Sequence, residues 1–418
     1  MRSGRVATPP EVTAPLRVGT SGDYPPFSVH ASDGTLDGFD VAVARAYARD
    51  RERPLELVAF AWPDLERRLV AGDFDVAMSG VTVRGDRLVR GPMTAAVART
   101  SAVLVAPARA TSSAAPAADD GAGLTVAVNR GGHLERVART KLPRATIVTL
   151  EDNRRLAAVL ASGEVDGVVT DTLELRSFAT PGEPQPRVLR VLSDDRKAYW
   201  AAPSATALAE DLDAWLAARE ADGSLARLRA SYGVVAADPS ASPVLDGPTA
   251  RLVDLLARRL LLMPEVADAK RVAGLPVDAP ARERVVYERE REAAACAGLA
   301  PEPYVDLVRE EIEIAKDVQR ATLVATAAVD CGEEPGARAR WRLEHELRPA
   351  IDTLDRAIRT ALVAAAPVRA EEAELAAAVL RDAPVPGFGR EQAVRLAGAL
   401  RRIPAPAAVP PAPCEIAS

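Results

Sequence analysis

Along residues 16–235, short apolar runs alternate with segments whose apolar residues recur every three or four positions. The runs LRVGT (16–20), LELVAF (55–60), DVAMSGV (75–81), SAVLVA (101–106), LTVAVN (124–129), ATIVTL (145–150) and GVVTD (167–171) predict strands. Between them VAVARAYARD (41–50), LERRLVAG (65–72), HLERVARTKL (133–142) and NRRLAAVLASG (153–163) predict amphipathic helices. Strands alternating with helices predict an α/β fold with a largely parallel sheet. The turn-prone stretch RATSSAAPAADDGAG (109–123) reads as a connection between two lobes. After a second such stretch, 236–248, the period is helical throughout: 249–262, 281–298, 303–329, 339–366, 370–383 and 390–403. Pro264, Pro301 and Pro384 fall between these segments or at their ends. The expected division is a tail (1–15), an α/β region (16–235), a linker (236–248), an all-helical region (249–405) and a Pro-rich tail (406–418). Within the α/β region the expected lobes are 16–104 with 197–235, and 105–196.

Composition narrows the class. A 418-residue chain with 48% hydrophobic and 27% charged residues suits two or three folded domains. A net charge of −6 with interspersed signs leaves no electrostatic footprint for nucleic acid or an anionic membrane. No uninterrupted apolar run approaches the roughly 18 residues of a membrane span. The opening MRSGRVATPPEVTAP lacks the apolar core of a signal peptide, so the protein is expected to be cytosolic or to start after cleavage. Cys296, Cys331 and Cys414 show no metal spacing, and His30, His133 and His345 lie far apart, so no metal is expected. If a disulfide forms, Cys331 with Cys414 is the expected pair; three free thiols are the alternative. Only four of 53 basic residues are lysines: Lys141, Lys197, Lys270 and Lys316. Where arginine is so favoured, a lysine points to chemistry that wants a compact ammonium.

In the α/β region the candidate chemistry lies at predicted strand ends, where open α/β sheets bind ligands. TSGDYPPF (20–27) offers Tyr24 in a tight loop, and WPDL (62–65) places Trp62 at a helix start. FDVAMSGVTVRGDR (74–87) ends a strand in small residues and then sets Arg87 after a turn. Backbone N–H groups around Ser79–Thr82 with that guanidinium would clamp a carboxylate. NRGG (129–132) brings backbone near an anion, and TDTLE (170–174) sets Asp171 and Glu174 three residues apart. Each has a plainer reading: a surface ion pair for Arg87, core for Trp62, a helix cap for Asp171.

The order LRVGTSGDYPPF, GFDVAVA, FDVAMSGVTV, VDGVVTD and KAYW resembles the two-lobed periplasmic solute-binding proteins for amino acids. Within them it is most similar to the cyclohexadienyl (prephenate/arogenate) dehydratases. The resemblance implies a type II periplasmic-binding-protein fold in which Arg87 and Thr82 hold a carboxylate and Asp171 meets an ammonium. It also implies that Glu174 is the general acid, that Asn129 and Lys197 lie in the cleft, and that Trp62 helps to dry it. Two positions depart from the pattern: His133 stands where threonine is usual, and Arg99 stands where a cleft lysine is expected. A dehydration with decarboxylation needs a proton for a departing hydroxyl, which a buried carboxylic acid can supply.

In the helical region Arg259, Lys270, Arg282, Glu283 and Gln319 would suit a small dianion as a set, although each alone reads as a solvated helix residue. Their spacing, with LPV (275–277) and AKDVQ (315–319), resembles the all-helical chorismate mutases, and LRPAIDTLDRAI (347–358) resembles their secreted subclass. The resemblance implies that Arg259 and Arg282 grip carboxylates while Lys270 and Gln319 face the ether oxygen. Arg356 or Arg359 is expected to replace an arginine that falls at alanine, and Ala315 stands where a hydroxyl or asparagine is common. That rearrangement is pericyclic and needs positioning and positive charge, not an acid or a nucleophile.

The resemblances together imply a multidomain protein: an N-terminal two-lobed α/β binding-protein-like domain and a C-terminal all-α mutase domain. The implied function is chorismate to prephenate, then prephenate to phenylpyruvate or arogenate to phenylalanine, without a cofactor. The implied location is periplasmic or exported, with a homodimer through the helical domain. The alternative is an amino-acid receptor without catalysis fused to a mutase.

Overall fold

Two larger sheets, of four and five strands, carry most of the predicted apolar runs, and two smaller sheets of two and three strands accompany them among the described residues. The structure, a computed structural model, describes residues 14–31, 33–108, 119–178, 185–234, 245, 247–326 and 336–407. Most of the expected linker, Cys331 and Cys414 lie outside these residues.

The strands are β1 (Leu16–Thr20), β2 (Asp23–Tyr24), β3 (Ser28–His30), β4 (Leu36–Asp37), β5 (Leu55–Ala59), β6 (Val76–Ala77) and β7 (Ala98–Thr100). They continue as β8 (Ala102–Ala106), β9 (Thr125–Asn129), β10 (Thr146–Leu150), β11 (Gly167–Asp171), β12 (Arg187–Val191), β13 (Asp195–Lys197) and β14 (Trp200–Ala201). The helices among them are α1 (Phe39–Asp50), α2 (Leu65–Val70), α3 (Gly85–Arg90), α4 (His133–Lys141), α5 (Arg155–Ser162), α6 (Thr206–Ala221) and α7 (Ser224–Ser231).

The first sheet runs β14-β6-β1-β5, with β5, β1 and β6 parallel and β14 antiparallel. The second runs β10-β9-β11-β8-β12, parallel through β10, β9 and β11 and antiparallel at β8 and β12. β8 and β11 are buried at every position, which explains why AVLVA and GVVTD read as unbroken apolar runs. Alternate residues feed two cores. Leu104, Val128 and Val169 meet Leu134 and Val137 of α4 on one face. Val105, Ala127 and Val168 meet Leu156 and Leu160 of α5 on the other. The run 101–106, which the pattern splits between lobes, is in the second sheet through its pairing with β11.

The chain forms two compact units: Met1–Val81 with Thr100–Ser193 and Ala198–Val235, and Thr82–Arg99 with Asp194–Lys197 and Ala236–Ser418. The second unit therefore holds two short α/β segments as well as the helices.

Its helices are α8 (Gly247–Leu261), α9 (Met263–Ala273), α10 (Pro280–Cys296), α11 (Pro301–Thr326), α12 (Gly336–Arg342), α13 (Arg348–Ala365), α14 (Glu372–Asp382) and α15 (Arg390–Arg401). The pattern misses α9. Pro264 occupies its first turn, where an absent N–H costs nothing, and Gly274 closes it at φ 66. The expected helix 339–366 is broken by a π turn at Leu343–Leu347. α13 packs on α8, α10 on α11, and α14 on α15. Among the described residues no helix is long and apolar enough to cross a membrane. Cys296, at the end of α10, is disulfide-bonded. The expected Cys331–Cys414 pairing lies outside the described residues.

Candidate functional site

In the first unit, β1, β6, β9 and β11 end in loops that carry predicted polar residues, and β10 ends in the loop that carries Asn153. Glu174 lies just past β11 and is almost wholly buried. Its Oε2 accepts a 2.6 Å hydrogen bond from Thr170 Oγ1, and its Oε1 accepts one from Asn153 Nδ2. Burial, with the neighbouring charge of Asp171, pushes the Glu174 carboxyl up to about 8. Asp171 caps the turn that carries Glu174: its Oδ1 accepts from the N–H groups of Leu173 and Glu174, each at 2.8 Å. Its Oδ2 accepts from the Tyr24 hydroxyl. Burial also raises the Asp23 carboxyl, to which Trp62 Nε1 donates at 3.1 Å.

Tyr24 and Trp62 meet edge to face at 5.5 Å. Gly131 (φ 74) lets the NRGG loop approach WPDL: a Cβ there would lie 2.7 Å from the Cα of Pro63. Asn129 Oδ1 is buried without a protein partner, an open acceptor at the end of β9. His133 opens α4 four residues on. The Ser79 hydroxyl is 2.9 Å from that of Ser21.

The second unit holds Thr82, Arg87, Lys197 and Arg99. Lys197 Nζ donates to Thr82 Oγ1 at 3.0 Å, and Arg87 Nη1 donates to the Thr82 carbonyl at 2.8 Å. All three are buried. Arg99, expected to contact substrate, is instead engaged by Asp382, with Asp194 at 4.0 Å. A buried carboxylate opposite that guanidinium offers closer compensation than a transient ligand.

The helices of the second unit enclose a cavity of ≈ 230 Å³. Arg259, Lys270, Arg282, Glu283 and Gln319, drawn from four helices, all line it. Arg348, at the start of α13, adds a further cation to the lining. Lys270 donates to the Val277 carbonyl at 2.9 Å, which fixes the Leu-Pro-Val turn against it. Burial and then the positive charge of Arg348 hold both Lys270 and Arg282 below their ordinary values, so like charges converge here. The lining acids are engaged: Glu283 by Lys316 at 2.9 Å, Asp352 by Arg289 at 3.0 Å, and Asp355 by Arg259 at 2.7 Å. Gln319 Oε1 has no protein partner, and its amide nitrogen reaches only the Met263 sulfur at 4.0 Å. Converging cations beside paired acids suit the binding and polarising of an anion.

The family model for bacterial extracellular solute-binding proteins, family 3, matches residues 16–235, just over half of the chain. The chain belongs to that family. Residues 246–320 match the model for chorismate mutase type II, so a solute-binding α/β region is joined to a mutase-type helical one. Cyclohexadienyl dehydratase of Pseudomonas aeruginosa is 32% identical over 163 residues, 38% of this chain and 60% of that protein. The L-arginine-binding protein of the same organism is 29% identical over 163 residues, 38% of this chain and 62% of that protein. The chain thus spans about three-fifths of the length of these curated relatives. Among solved structures, the ancestral amino acid-binding protein AncCDT-1, a precursor of cyclohexadienyl dehydratase, is 26% identical. That match covers 52% of this chain and 94% of the other, with a TM-score of 0.48.

Arg356 does not line the helical cavity. It is exposed on α13 and donates to Thr353, while Arg359 is taken by Glu290. Arg348, Ile351, Asp352 and Asp355 form the lining face of α13, at the i, i+3, i+4, i+7 spacing of one helical stripe. That spacing was present in the sequence and excludes Arg356, one residue past Asp355. Asn153 is the other residue that sequence reasoning missed. It follows β10 rather than β11, and nothing in the local pattern links it to Glu174.

Proposed function

We propose that the chain is a bifunctional enzyme that converts chorismate to prephenate in its helical region and prephenate to phenylpyruvate in its α/β region. Arogenate, giving phenylalanine, is the second substrate of the latter. The observation that carries this reading is the convergence of Arg259, Lys270, Arg282, Arg348 and Gln319 on one cavity whose acids are already paired.

In the rearrangement one C–O bond breaks as one C–C bond forms, and no proton moves. The arginines hold the two carboxylates in a compact geometry, which supplies proximity. Lys270 and Gln319 stabilise the charge that grows on the ether oxygen. In the second reaction the ring carboxylate leaves as CO2, and its bonding pair enters the ring. The ring hydroxyl departs with the Glu174 proton as water, and solvent reprotonates Glu174. A carboxyl that stays protonated near neutrality is the acid this step needs.

The amino-acid-binding relatives support a second reading, a receptor that does no chemistry. Glu174 argues for the enzyme, because holding an amino acid does not call for a buried protonated carboxyl beside Asp171. The disulfide at Cys296 supports an oxidising compartment, in keeping with an exported protein.

The test is purified protein with chorismate at neutral pH, following chorismate loss and phenylpyruvate gain. Both are expected. Unchanged chorismate would contradict the mutase, and prephenate accumulating without phenylpyruvate would favour the receptor.

A further inference from the structure

Behind the helical cavity a single guanidinium is shared by two carboxylates. Arg259 Nε donates to Asp355 Oδ1 at 2.7 Å, and Glu311 Oε2 lies 3.8 Å from the same nitrogen. Asp355 lines the cavity; Glu311, from α11, is 6% exposed and does not. Two polar atoms of this group are buried without a protein partner: Arg259 Nη1 and Glu311 Oε1. The guanidinium of a cavity-lining residue therefore keeps one buried N–H unpaired, and the carboxylate behind it meets that guanidinium only at 3.8 Å.

We propose that Glu311 is a positioning residue of the helical site, and that binding of a dianion in the cavity drives proton uptake on its carboxyl. The inference rests on the reading of this cavity as a dianion site.

The charged surroundings of Glu311 come from three other helices. α8 supplies Arg259, α13 supplies Asp355, and α10 supplies Glu290. Glu290 is itself held by Tyr304 of α11, Arg359 of α13 and its neighbour Arg289. α9 and α15 also pack on α11, but Lys270 turns to the Val277 carbonyl and Arg395 to Glu310.

Burial drives the Glu311 carboxyl up to about 7; Arg259 opposes the rise, and Asp355 and Glu290 add to it. Near neutrality Glu311 is thus divided between its two forms. A substrate carboxylate on the cavity-lining guanidinium of Arg259 places further negative charge beside Glu311 and draws from the same guanidinium. Both effects favour the protonated form. By reciprocity, the protonated form binds the dianion more tightly. Affinity then falls as pH rises, by as much as about tenfold per unit once Glu311 is ionised in the free protein.

The experiment is calorimetry on the full chain with a stable bicyclic ether dicarboxylate that mimics the compact rearranging geometry. Titrations at neutral pH in buffers of different ionisation enthalpy report the protons exchanged. Net uptake is expected for the wild type. Glu311→Gln is expected to bind with no uptake and with a flat pH dependence. Absence of uptake in the wild type, or its persistence in Glu311→Gln, would overturn the inference while leaving the site assignment standing. No binding by the wild type would overturn the site assignment and the inference with it. Wild-type kinetics give a readout that does not depend on the variant folding. KM for chorismate should rise with pH through neutrality while kcat stays level, and a kcat that follows the same titration would contradict a positioning role.

Discussion

Glu174 owes its protonation near neutrality to its surroundings. A glutamate in water ionises near 4.5, whereas this one is lifted to about 8 by burial and by Asp171. Activity and stability should both record the shift. Turnover of prephenate is expected to fall as pH passes about 8, because the proton needed by the leaving hydroxyl is then lost. A pH profile of kcat that stays level to pH 9 or so would exclude Glu174 as the acid. For stability, the folded state holds a proton that the unfolded state has released between about 4.5 and 8. Stability is therefore lost as pH rises through that window, and Glu174→Gln should remove the dependence in thermal melts. The resemblance pointed to Glu174, but its hydrogen bond from Asn153 was not visible, because 21 residues and a strand change separate them.

Local pattern resolves elements whose apolar run or period is regular and falters where the backbone departs from it. β8 and β11 were legible as unbroken apolar runs because both of their faces are buried. The π turn at 343–347 interrupts a segment that reads as one helix, and α9 was lost to a proline that opens it rather than ending its predecessor. Helix α13 supplies a direct comparison. Arg348→Ala is expected to lower mutase kcat/KM by about 10²-fold or more, as loss of a preorganised cation does, and Arg356→Ala to leave it within about twofold. Equal effects of the two would contradict the lining face described for α13. The loop pair 129–132 and 62–65 supplies another. Gly131→Ala forces a side chain into positive φ and against Pro63, and should cost more than about 1 kcal/mol in denaturant titration. An unchanged midpoint would show that the loops can separate freely.

At the scale of the whole molecule, the change of period near residue 240 already marked two kinds of domain, and the family matches follow the same division. The grouping of Thr82–Arg99 and Asp194–Lys197 with the helices was not legible, because no local pattern reports which distant surface a strand segment joins. The same limit explains Arg99, whose partner Asp382 lies 283 residues away.

The central claim is that one chain runs two consecutive reactions at separate sites. Two variants test it together, Lys270→Ala and Glu174→Gln, each supplied in turn with chorismate and with prephenate at neutral pH. Lys270→Ala should lose mutase turnover by about 3 kcal/mol of barrier yet still convert supplied prephenate. Glu174→Gln should consume chorismate normally and accumulate prephenate, its second step slowed by about 10²–10⁴. Mixed in one tube, the two should restore phenylpyruvate formation from chorismate through free prephenate. If the mixture makes no more phenylpyruvate than either variant alone, or if either substitution abolishes both activities in a folded protein, the assignment of two separate sites is wrong.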